Sequence, residues 1–260
     1  MKIQIYIISH MLEDIEKTRN DSIYTPLFVG RNGKDNFGFC SDDSGDNISS
    51  RNPYFCELTG LYWMWKQSDA DIIGLCHYRR YFVNEKNKLL EKEEIESALE
   101  QYDLIVPHFG TSLLGSVYND YDNEHYKEDL DNCREIISKL NPEYLNSYDK
   151  VIYGNKLAHY NMFIAKKETI DDYCQWIFPI LFELEKIIDA ENYDDYRKRV
   201  YGFLTERLFN VWFTQKKLKV KENDVKLIGK MLNLKMFFYK RPLLRWGYVH
   251  IYKPYLKDKK

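Results

Sequence analysis

The stretch DIIGLCHYRRYF, residues 71–82, begins as a short apolar run and ends in polar side chains. An apolar run of this length, rich in branched residues, is typical of a buried strand. The run KIQIYIIS, residues 2–9, has the same character and is followed by His10. We therefore expect two buried strands, each with polar residues at its carboxyl end.

Helical patterns lie between and beyond these strands. YFCELTGLYWMWKQ, residues 54–67, has apolar side chains at helical spacing after Asn52 and Pro53, which suit a helix start. The remaining predicted elements are strands at residues 25–31 and 103–108 and helices at residues 89–102, 129–140, 170–188 and 203–213. Strands that alternate with helices predict an α/β domain with a largely parallel sheet. Such sheets bind ligands at the carboxyl ends of their strands.

The composition excludes several classes of protein. Hydrophobic residues make up 44% and charged residues 30% of the 260, which excludes intrinsic disorder. The five cysteines are scattered and form no CxxC pair. We therefore expect reduced thiols in a cytoplasmic protein, with neither a disulfide framework nor a zinc ribbon. No apolar run approaches the roughly 18 residues of a transmembrane helix, and the first residues read as a strand rather than a signal peptide.

The charge is distributed unevenly along the chain. The formal net charge is −2, but residues 216–260 carry 14 Lys or Arg against three acidic residues, which leaves the first 215 residues at −13. We accordingly divide the chain into a domain at residues 1–222 and a basic, aromatic tail at residues 223–260. The tail is expected to attach to an anionic membrane surface or, alternatively, to pack on the acidic domain. No nucleic-acid-binding motif accompanies the charge, so we expect no nucleic-acid partner.

Three polar clusters are candidate ligand sites. Ser9 and His10 end the first strand, GDNIS at residues 45–49 lies in a predicted loop, and HYRR at residues 77–80 ends the second strand. Two arginines and a histidine at a strand end suit an anionic ligand, because guanidinium groups bind phosphate oxygens in pairs. The alternative is that these arginines form structural ion pairs with the acidic domain.

Acidic residues offer little support for a metal site. Asp69 and Asp71 precede their strand, which is the wrong edge of the sheet for a DxD pair that binds Mg²⁺ or Mn²⁺. An alternative site is a loop cluster that combines acidic residues with a histidine, namely Asp120, Asp122, Glu124 and His125. Such loops are usually solvated, so we assign no metal ligand. Dinucleotide, P-loop, hydrolase and metalloprotease motifs are absent.

The segment at residues 202–207 allows two interpretations. Thr205, Glu206 and Arg207 lie at the start of a predicted helix that follows Gly202. A carboxylate at such a helix start is held ionised by backbone amides and could act as a general base. Capping by Thr205, with Glu206 in the first turn, is the alternative. The local pattern by itself favours capping.

Seven ordered motifs resemble a bacterial family first described as a domain of unknown function, DUF4422, and later recognised as galactofuranosyltransferases. The resemblance covers roughly residues 1–222. The motifs are SH (9–10), GDNIS (45–49), NPYFCELTGLYWMWK (52–66), DIIGLCHYRRYF (71–82), NMFI (161–164), YCQWIFPIL (173–181) and GFLTERLFNVW (202–212).

The resemblance implies a GT-A-like nucleotide-binding sandwich. It further implies an inverting transfer of galactofuranose from UDP-galactofuranose to a lipid-linked glycan, in capsule, exopolysaccharide or O-antigen synthesis on the inner face of the cell membrane. Glu206 is then the general base, which reverses the preference for capping. The positions implied for the donor are Ser9, His10, Asp46, Asn47, His77, Arg79, Arg80 and Asn161, and those near the acceptor are His125 and Arg207.

Several points stay open within this interpretation. We expect His77 and Arg79 to face the donor together, because residues two apart in a strand share a face. A divalent metal stays open, since HYRR stands where an acidic pair would be expected. Another UDP-hexose as donor, or a non-catalytic sugar-binding scaffold, is the alternative function. The oligomeric state is also open.

Overall fold

The structure is a computed structural model that describes residues 1–228. Within these residues the chain forms an eight-stranded sheet, a separate two-stranded sheet and helices that pack on both faces of the larger sheet. The strands are β1 (Ile3–Ser9), β2 (Tyr24–Phe28), β3 (Cys40–Ser41), β4 (Ile72–His77), β5 (Arg80–Val83), β6 (Leu104–Pro107), β7 (Phe109–Thr111), β8 (Lys156–Ala158), β9 (Phe163–Lys166) and β10 (Val220–Leu227). The helices are α1 (Leu12–Ile15), α2 (Asn52–Phe55), α3 (Leu58–Gln67), α4 (Lys92–Leu99), α5 (Val117–Asp122), α6 (Lys127–Leu140), α7 (Leu145–Ile152), α8 (Lys167–Glu185) and α9 (Val200–Gln215).

The large sheet is mixed, so the expectation of a mainly parallel sheet is wrong. Its strand order is β3-β2-β1-β4-β5-β10-β6-β9, and β9 also pairs with β4, which closes five strands into a ring. The run from β3 to β4 is parallel, whereas every pairing in the ring except β6 with β10 is antiparallel. Only Tyr78 and Arg79 separate β4 from β5. So short a connection has no room for a crossover helix and forces the antiparallel return.

Both faces of the parallel part are buried, which explains its continuous apolar runs. In β1, Ile5 and Ile7 pack into one cluster and Tyr6 and Ile8 into the other. The first cluster includes apolar residues of α4, and the second includes residues of α3, α6, α8 and α9. The prediction of two buried strands at residues 2–9 and 71–82 is confirmed for β1 and β4.

The predicted single helix at residues 54–67 is interrupted. The chain leaves α2 at Cys56, whose φ of 52° is incompatible with a helix, and re-enters a helix at Leu58. Gly60 lies one turn further on, and a Cβ there would meet Ile8 Cδ1 at 2.4 Å. Glycine therefore lets α3 approach β1 closely. This packing fixes the turn at residues 52–57 above the carboxyl end of the parallel strands.

The boundary predicted after residue 222 falls inside β10, which lies between β5 and β6 in the ring. Residues 223–227 therefore belong to the sheet, and the domain extends at least to the end of β10. The predicted membrane attachment rests on aromatic and basic residues from 229 onward, which lie outside the described residues. Within residues 1–228, no helix is both long and apolar enough to cross a bilayer.

Candidate active site

A cleft lies at the carboxyl ends of β1 and β2, where a ligand site is expected in a parallel sheet. Its volume is about 240 Å³. Its walls come from the end of β1, the loop after β2 and the start of α2, and the lining side chains that carry a charge or a ring nitrogen are His10, Arg31 and Lys34. We call this the basic cleft.

Asp42 shapes the loop that forms one wall of the basic cleft. Its carboxylate accepts hydrogen bonds from the backbone N–H of Gly30 at 2.9 Å and of Arg31 at 3.3 Å, and from Ser49 Oγ at 2.6 Å. Gly30 has a φ of 71°, and a Cβ there would meet Asn52 Oδ1 at 2.6 Å. Only glycine fits both the left-handed backbone and this close approach. The loop is thereby held in one conformation before any ligand arrives.

Arg31 is the cation that this loop presents most rigidly. Its guanidinium carbon lies 4.1 Å from the centre of the Phe28 ring, and one of its terminal nitrogens donates to the backbone carbonyl of Asp35. Its Nε is buried and has no hydrogen-bond partner among the described residues. A buried, unpaired donor is costly, so the guanidinium keeps unused hydrogen-bonding capacity at the wall of the cleft.

A second group of polar residues lies around Glu206 in α9. Its members, which we call the Glu206 cluster, are His77, His159, Tyr160, Asn161, Glu206 and Arg207. One carboxylate oxygen of Glu206 accepts a hydrogen bond from the backbone N–H of Tyr160. The other lies 2.7 Å from Arg207 Nη1 and 3.7 Å from His159 Nδ1. The Glu206 side chain stays 16% exposed, so a ligand can reach it.

The environment keeps Glu206 ionised. Burial raises the pKa of the carboxyl, but Arg207, His159 and the Tyr160 N–H together outweigh it and lower the pKa to about 2. These contacts keep the carboxylate ionised, which is the role expected of backbone amides at a helix start. The placement of Glu206 at a helix start is wrong, because α9 begins at Val200 and Glu206 is its seventh residue. Capping by Thr205 is excluded for the same reason.

Two left-handed residues join this cluster to the end of β4. Tyr160 and Asn161 have φ values of 79° and 52°, which is uncommon for residues other than glycine. His77 Nε2 lies 2.7 Å from the Tyr160 carbonyl oxygen, so the ring must donate its Nε2 proton there. Burial lowers the pKa of His77. Glu206 and His77 thus bind the backbone N–H and the backbone C=O of the same residue, Tyr160, and hold it in its left-handed conformation.

Asn161 is buried behind this turn. Its Nδ2 donates to Glu57 Oε1 at 2.7 Å and to the carbonyl oxygen of Gly202 at 3.0 Å. Its Oδ1 has no hydrogen-bond partner among the described residues. Arg80 lies on the other side, with its guanidinium carbon 4.4 Å from the centre of the Tyr160 ring. The end of β4, the turn before β9 and the first half of α9 therefore meet at one point.

The basic cleft and the Glu206 cluster share a wall. Asn52, which lines the cleft, donates to the carbonyl oxygen of Cys56 at 2.8 Å. Arg199 Nε lies 3.3 Å from Cys56 Sγ. Burial lowers the pKa of His10, and the charge of Arg199 adds to this effect. Glu57, at the other end of this segment, accepts a hydrogen bond from Asn161 of the Glu206 cluster at 2.7 Å. Residues 52–57 therefore connect the basic cleft to the Glu206 cluster.

Not all of the predicted donor residues lie at this edge. Asp46 accepts from Tyr62 Oη at 3.1 Å and lies 3.7 Å from Lys66 Nζ, both toward the far end of α3. The side chain of Asn47 donates to the carbonyl oxygens of Asp43 and Gly45, so it organises its own loop. Within GDNIS, only Ser49 lines the basic cleft.

Arg79 and Ser9 also differ from expectation. Arg79 lies in the turn after β4 and not in the strand, so it does not share a strand face with His77, and its Nη2 is 3.5 Å from Asp14 Oδ1. Ser9 is buried, and its Oγ exchanges hydrogen bonds with the backbone of Met11. His77, Arg80, Asn161, Glu206 and Arg207 are brought together as the motifs suggest, and His10 lies in the basic cleft.

Sequence reasoning missed Arg31, Asp42, Glu57 and His159. Glu57 and Asp42 lie within or beside quoted motifs, but a carboxylate in a polar loop gives no signal of burial until the fold is known. His159 precedes the motif NMFI, and only the left-handed turn brings it to Glu206.

Within residues 1–228, no group of three or more His, Cys, Asp or Glu side chains is arranged to hold a metal ion. Asp120 instead accepts from the backbone N–H groups of Leu113 and Leu114.

Comparison with known proteins assigns the family. Residues 4–217 match the model of the family described as a domain of unknown function, DUF4422. The chain belongs to this family. Its structure is similar to a solved structure, the apo form of the bifunctional glycosyltransferase WbbM, with 31% sequence identity and a TM-score of 0.80. The superposition covers 88% of this chain and 46% of that one, so this chain spans less than half the length of WbbM. A comparison with curated protein sequences gives no significant match.

Proposed function

We propose that this protein is an inverting glycosyltransferase with a GT-A-like fold. The observation that carries the proposal is an ionised, partly exposed carboxylate, Glu206, at the same sheet edge as a cleft that presents a fixed arginine, Arg31. When a hydroxyl displaces a nucleoside diphosphate from a sugar, the reaction requires a base and an anion-binding site close together. The family assignment and the likeness to a bifunctional glycosyltransferase support the same conclusion.

In this proposal the basic cleft binds the diphosphate group of the nucleotide-sugar donor. Arg31 supplies a guanidinium that is already stacked and partly desolvated, which favours phosphate oxygens over a neutral ligand. His10 and Lys34 lie in the same walls. These groups hold the diphosphate equally before and after its bond to the sugar breaks, so they contribute mainly to the affinity for the donor.

Glu206 removes the proton from the acceptor in the same step. The acceptor oxygen forms a bond to the anomeric carbon of the donor, the bond from that carbon to the diphosphate oxygen breaks, and the configuration inverts. The hydroxyl proton passes to a carboxylate oxygen of Glu206. A carboxyl with a pKa of about 2 holds a proton weakly, so transfer becomes favourable only once the new bond has made the acceptor oxygen strongly acidic.

The donor that we propose is UDP-galactofuranose, and the acceptor a lipid-linked glycan of a cell-surface polysaccharide. The support is the resemblance of the motifs, since no contact in the structure reads the ring form of the sugar. Another UDP-hexose is the alternative within the enzyme class. A non-catalytic scaffold that only binds sugar is the alternative outside it.

Release of UDP decides between these alternatives. The full chain is incubated with UDP-galactofuranose, UDP-galactopyranose and UDP-glucose, each with and without methyl glycosides as acceptors. We expect release from UDP-galactofuranose, faster with an acceptor, and a product of inverted configuration by NMR. Release from a pyranose donor alone would overturn the furanose assignment. No release from any donor, together with tight UDP binding, would identify a scaffold.

We further propose that the basic tail attaches the enzyme to the inner face of the cell membrane. Its support is the composition of residues 229–260, where aromatic side chains alternate with lysine and arginine. The test compares the full chain with a chain that ends at residue 228, which retains β10. Only the full chain should sediment with anionic vesicles at low salt, and equal sedimentation of both would contradict the attachment.

A further inference from the structure

An aromatic surface beside Glu206 has no role in the steps described so far. Its members, which we call the aromatic platform, are His125, Tyr196 and Phe203. The Tyr196 and His125 rings are nearly parallel, at an angle of 15° with centres 5.5 Å apart. Phe203 packs against both, with ring centres 4.2 Å from His125 and 5.1 Å from Tyr196. Tyr196 remains 48% exposed.

We propose that the aromatic platform binds the acceptor, by stacking one face of a pyranose ring on the exposed ring of Tyr196. This inference rests on the proposed function and deepens it, because it specifies the chemical class of the group presented to Glu206. A pyranose has one face of C–H groups and a rim of hydroxyls, so it suits a flat aromatic surface with polar groups at its edge.

The platform lies next to the reactive carboxylate. Phe203 precedes Glu206 by three positions in α9, and helical neighbours at this spacing share a face. Arg207 joins the two features directly, because its Nη1 donates both to the Phe203 carbonyl at 2.9 Å and to Glu206 at 2.7 Å. Burial is the main cause of the lowered pKa of His125 and of the raised pKa of Tyr196, and the charge of Glu206 makes a smaller contribution to both. In this proposal a sugar stacked on Tyr196 presents its rim toward the base.

A polar group at this point lacks a partner. Arg207 is only 8% exposed, and its Nε is buried with no hydrogen-bond partner among the described residues. A buried guanidinium nitrogen without an acceptor is unusual in a folded protein. Arg207 Nη1 is engaged by the Phe203 carbonyl and by Glu206, so this buried guanidinium fixes the position of the base relative to the platform.

The platform is held rigidly before a ligand binds. Asp194 accepts hydrogen bonds from the backbone N–H groups of Tyr196 and Arg197 at 2.9 and 2.8 Å. Arg197 Nε donates to the carbonyl oxygen of Glu124 at 3.0 Å. Tyr193 Oη donates to the buried Asp129 at 2.8 Å. The segment before α9 is thus fastened to the chain around α5 and α6, which lowers the entropy cost of ordering it around a sugar.

The platform is separate from the proposed donor site. None of its three residues lines the basic cleft, which is formed by His10, by residues 29–32 and 34, and by residues 49, 50, 52 and 53. Arg199 links the platform to the segment that borders the cleft, because its guanidinium carbon lies 5.4 Å from the Phe203 ring and its Nε lies 3.3 Å from Cys56 Sγ. A donor in the cleft and an acceptor on the platform would meet at Glu206.

The test is saturation-transfer NMR of the full chain with the methyl α- and β-glycosides of galactose, glucose and mannose. Methyl glycosides carry no apolar aglycone that could bind by itself. We expect at least one to receive saturation on the C–H protons of one ring face. Tyr196→Ala and Tyr196→Leu should weaken its Kd by about threefold to tenfold, whereas Tyr196→Phe, which keeps the ring, should bind within twofold of wild type.

Tyr153→Ala is the matched control, since Tyr153 is also an exposed tyrosine (54%) but packs on Tyr118, away from Glu206. It should leave glycoside binding unchanged. All variants should retain the wild-type Kd for UDP, which separates this proposal from the donor site. Wild-type glycoside binding in both Tyr196→Ala and Tyr196→Leu, or no binding of any glycoside, would overturn the platform even if UDP-sugars are turned over. Absence of UDP-sugar turnover with Tyr196-dependent glycoside binding would overturn only the enzymatic proposal.

Discussion

The basic cleft and the Glu206 cluster lie at the same edge of the sheet but are built differently. The cleft is made by loops, and its key cation, Arg31, is stacked on Phe28 with a donor left unpaired. The cluster is made where a strand, a left-handed turn and a helix meet, and its carboxylate is held by a backbone amide and two side chains. A loop that presents a fixed guanidinium suits an anion. A carboxylate held by three partners suits an ionised base.

This difference predicts that the two regions control different steps. Binding of the nucleotide should depend on the cleft, and turnover on the cluster. Variants that remove a single group from one region test this division.

Glu206→Gln should have the largest effect. We expect kcat to fall about 10²- to 10⁴-fold, the usual contribution of a positioned base. Glutamine retains an oxygen that can accept from Tyr160, so the turn should persist. Steady-state kinetics with a saturating donor measure the loss, and a thermal melt checks the fold. Activity equal to that of wild type would show that Glu206 is only a structural anchor.

Arg31→Ala should weaken UDP binding by about tenfold to a hundredfold. A hydrogen bond to a charged group contributes about 1.5–3 kcal/mol, more when it is partly desolvated. Isothermal titration with UDP measures the change. Arg134→Ala is a matched control, because Arg134 is engaged by Asp149 at 2.8 Å on the surface of α6. It should leave the Kd unchanged, and a loss as large as that in Arg31→Ala would remove the cleft as the nucleotide site.

Arg79→Ala should have a smaller effect, about threefold or less on the Kd for UDP. Its charge is already paired with Asp14 at 3.5 Å, and its side chain is 41% exposed. A solvated, paired cation contributes little to binding a further anion. The same titration applies. A loss of UDP affinity greater than tenfold would place the diphosphate over the turn after β4, as the motif HYRR first suggests. The basic cleft would then not be the main diphosphate site.

The pH dependence of kcat/KM should show no contribution from Glu206 near neutral pH. Because its folded-state pKa is lowered to about 2, the carboxyl stays ionised above pH 5. The stability that it contributes is fully present above its unfolded pKa and is lost as the pH falls toward 2. We expect no acid limb in kcat/KM between pH 5.5 and 8. An acid limb in that range, present also in the residual activity of Glu206→Gln, would indicate that a histidine is the base. His159 would then be the first residue to test.

The sequence predicts the parallel part of the fold better than the ring. β1 and β4 are continuous apolar runs typical of a buried strand, whereas β10 reads VKENDVKL, which contains only three apolar residues, no two of them adjacent. β10 forms because β5 and β6 offer open edges on both sides of it. Backbone hydrogen bonds to two neighbours override a polar sequence, and no local pattern shows that those edges exist.

The candidate site divides in the same way. His77, Arg80, Asn161, Glu206 and Arg207 follow from motifs, because each belongs to a recognisable run of residues. Their geometry does not follow: Glu206 is ionised by side chains and a left-handed turn from distant parts of the chain, not by a helix end. Arg31 gives no signal in the sequence, since its importance comes from the loop that Asp42 and Gly30 shape.

The most direct test that the cleft controls binding and the cluster controls turnover uses two variants, Glu206→Gln and Arg31→Ala. In each, the affinity for UDP and the turnover at saturating donor are both measured. Glu206→Gln should keep a Kd for UDP within twofold of wild type and lose at least a hundredfold in turnover. Arg31→Ala should lose at least tenfold in affinity and keep turnover within threefold of wild type once the donor saturates. Loss of both quantities together in both variants would contradict the account, because the cleft and the cluster would then act as a single binding site.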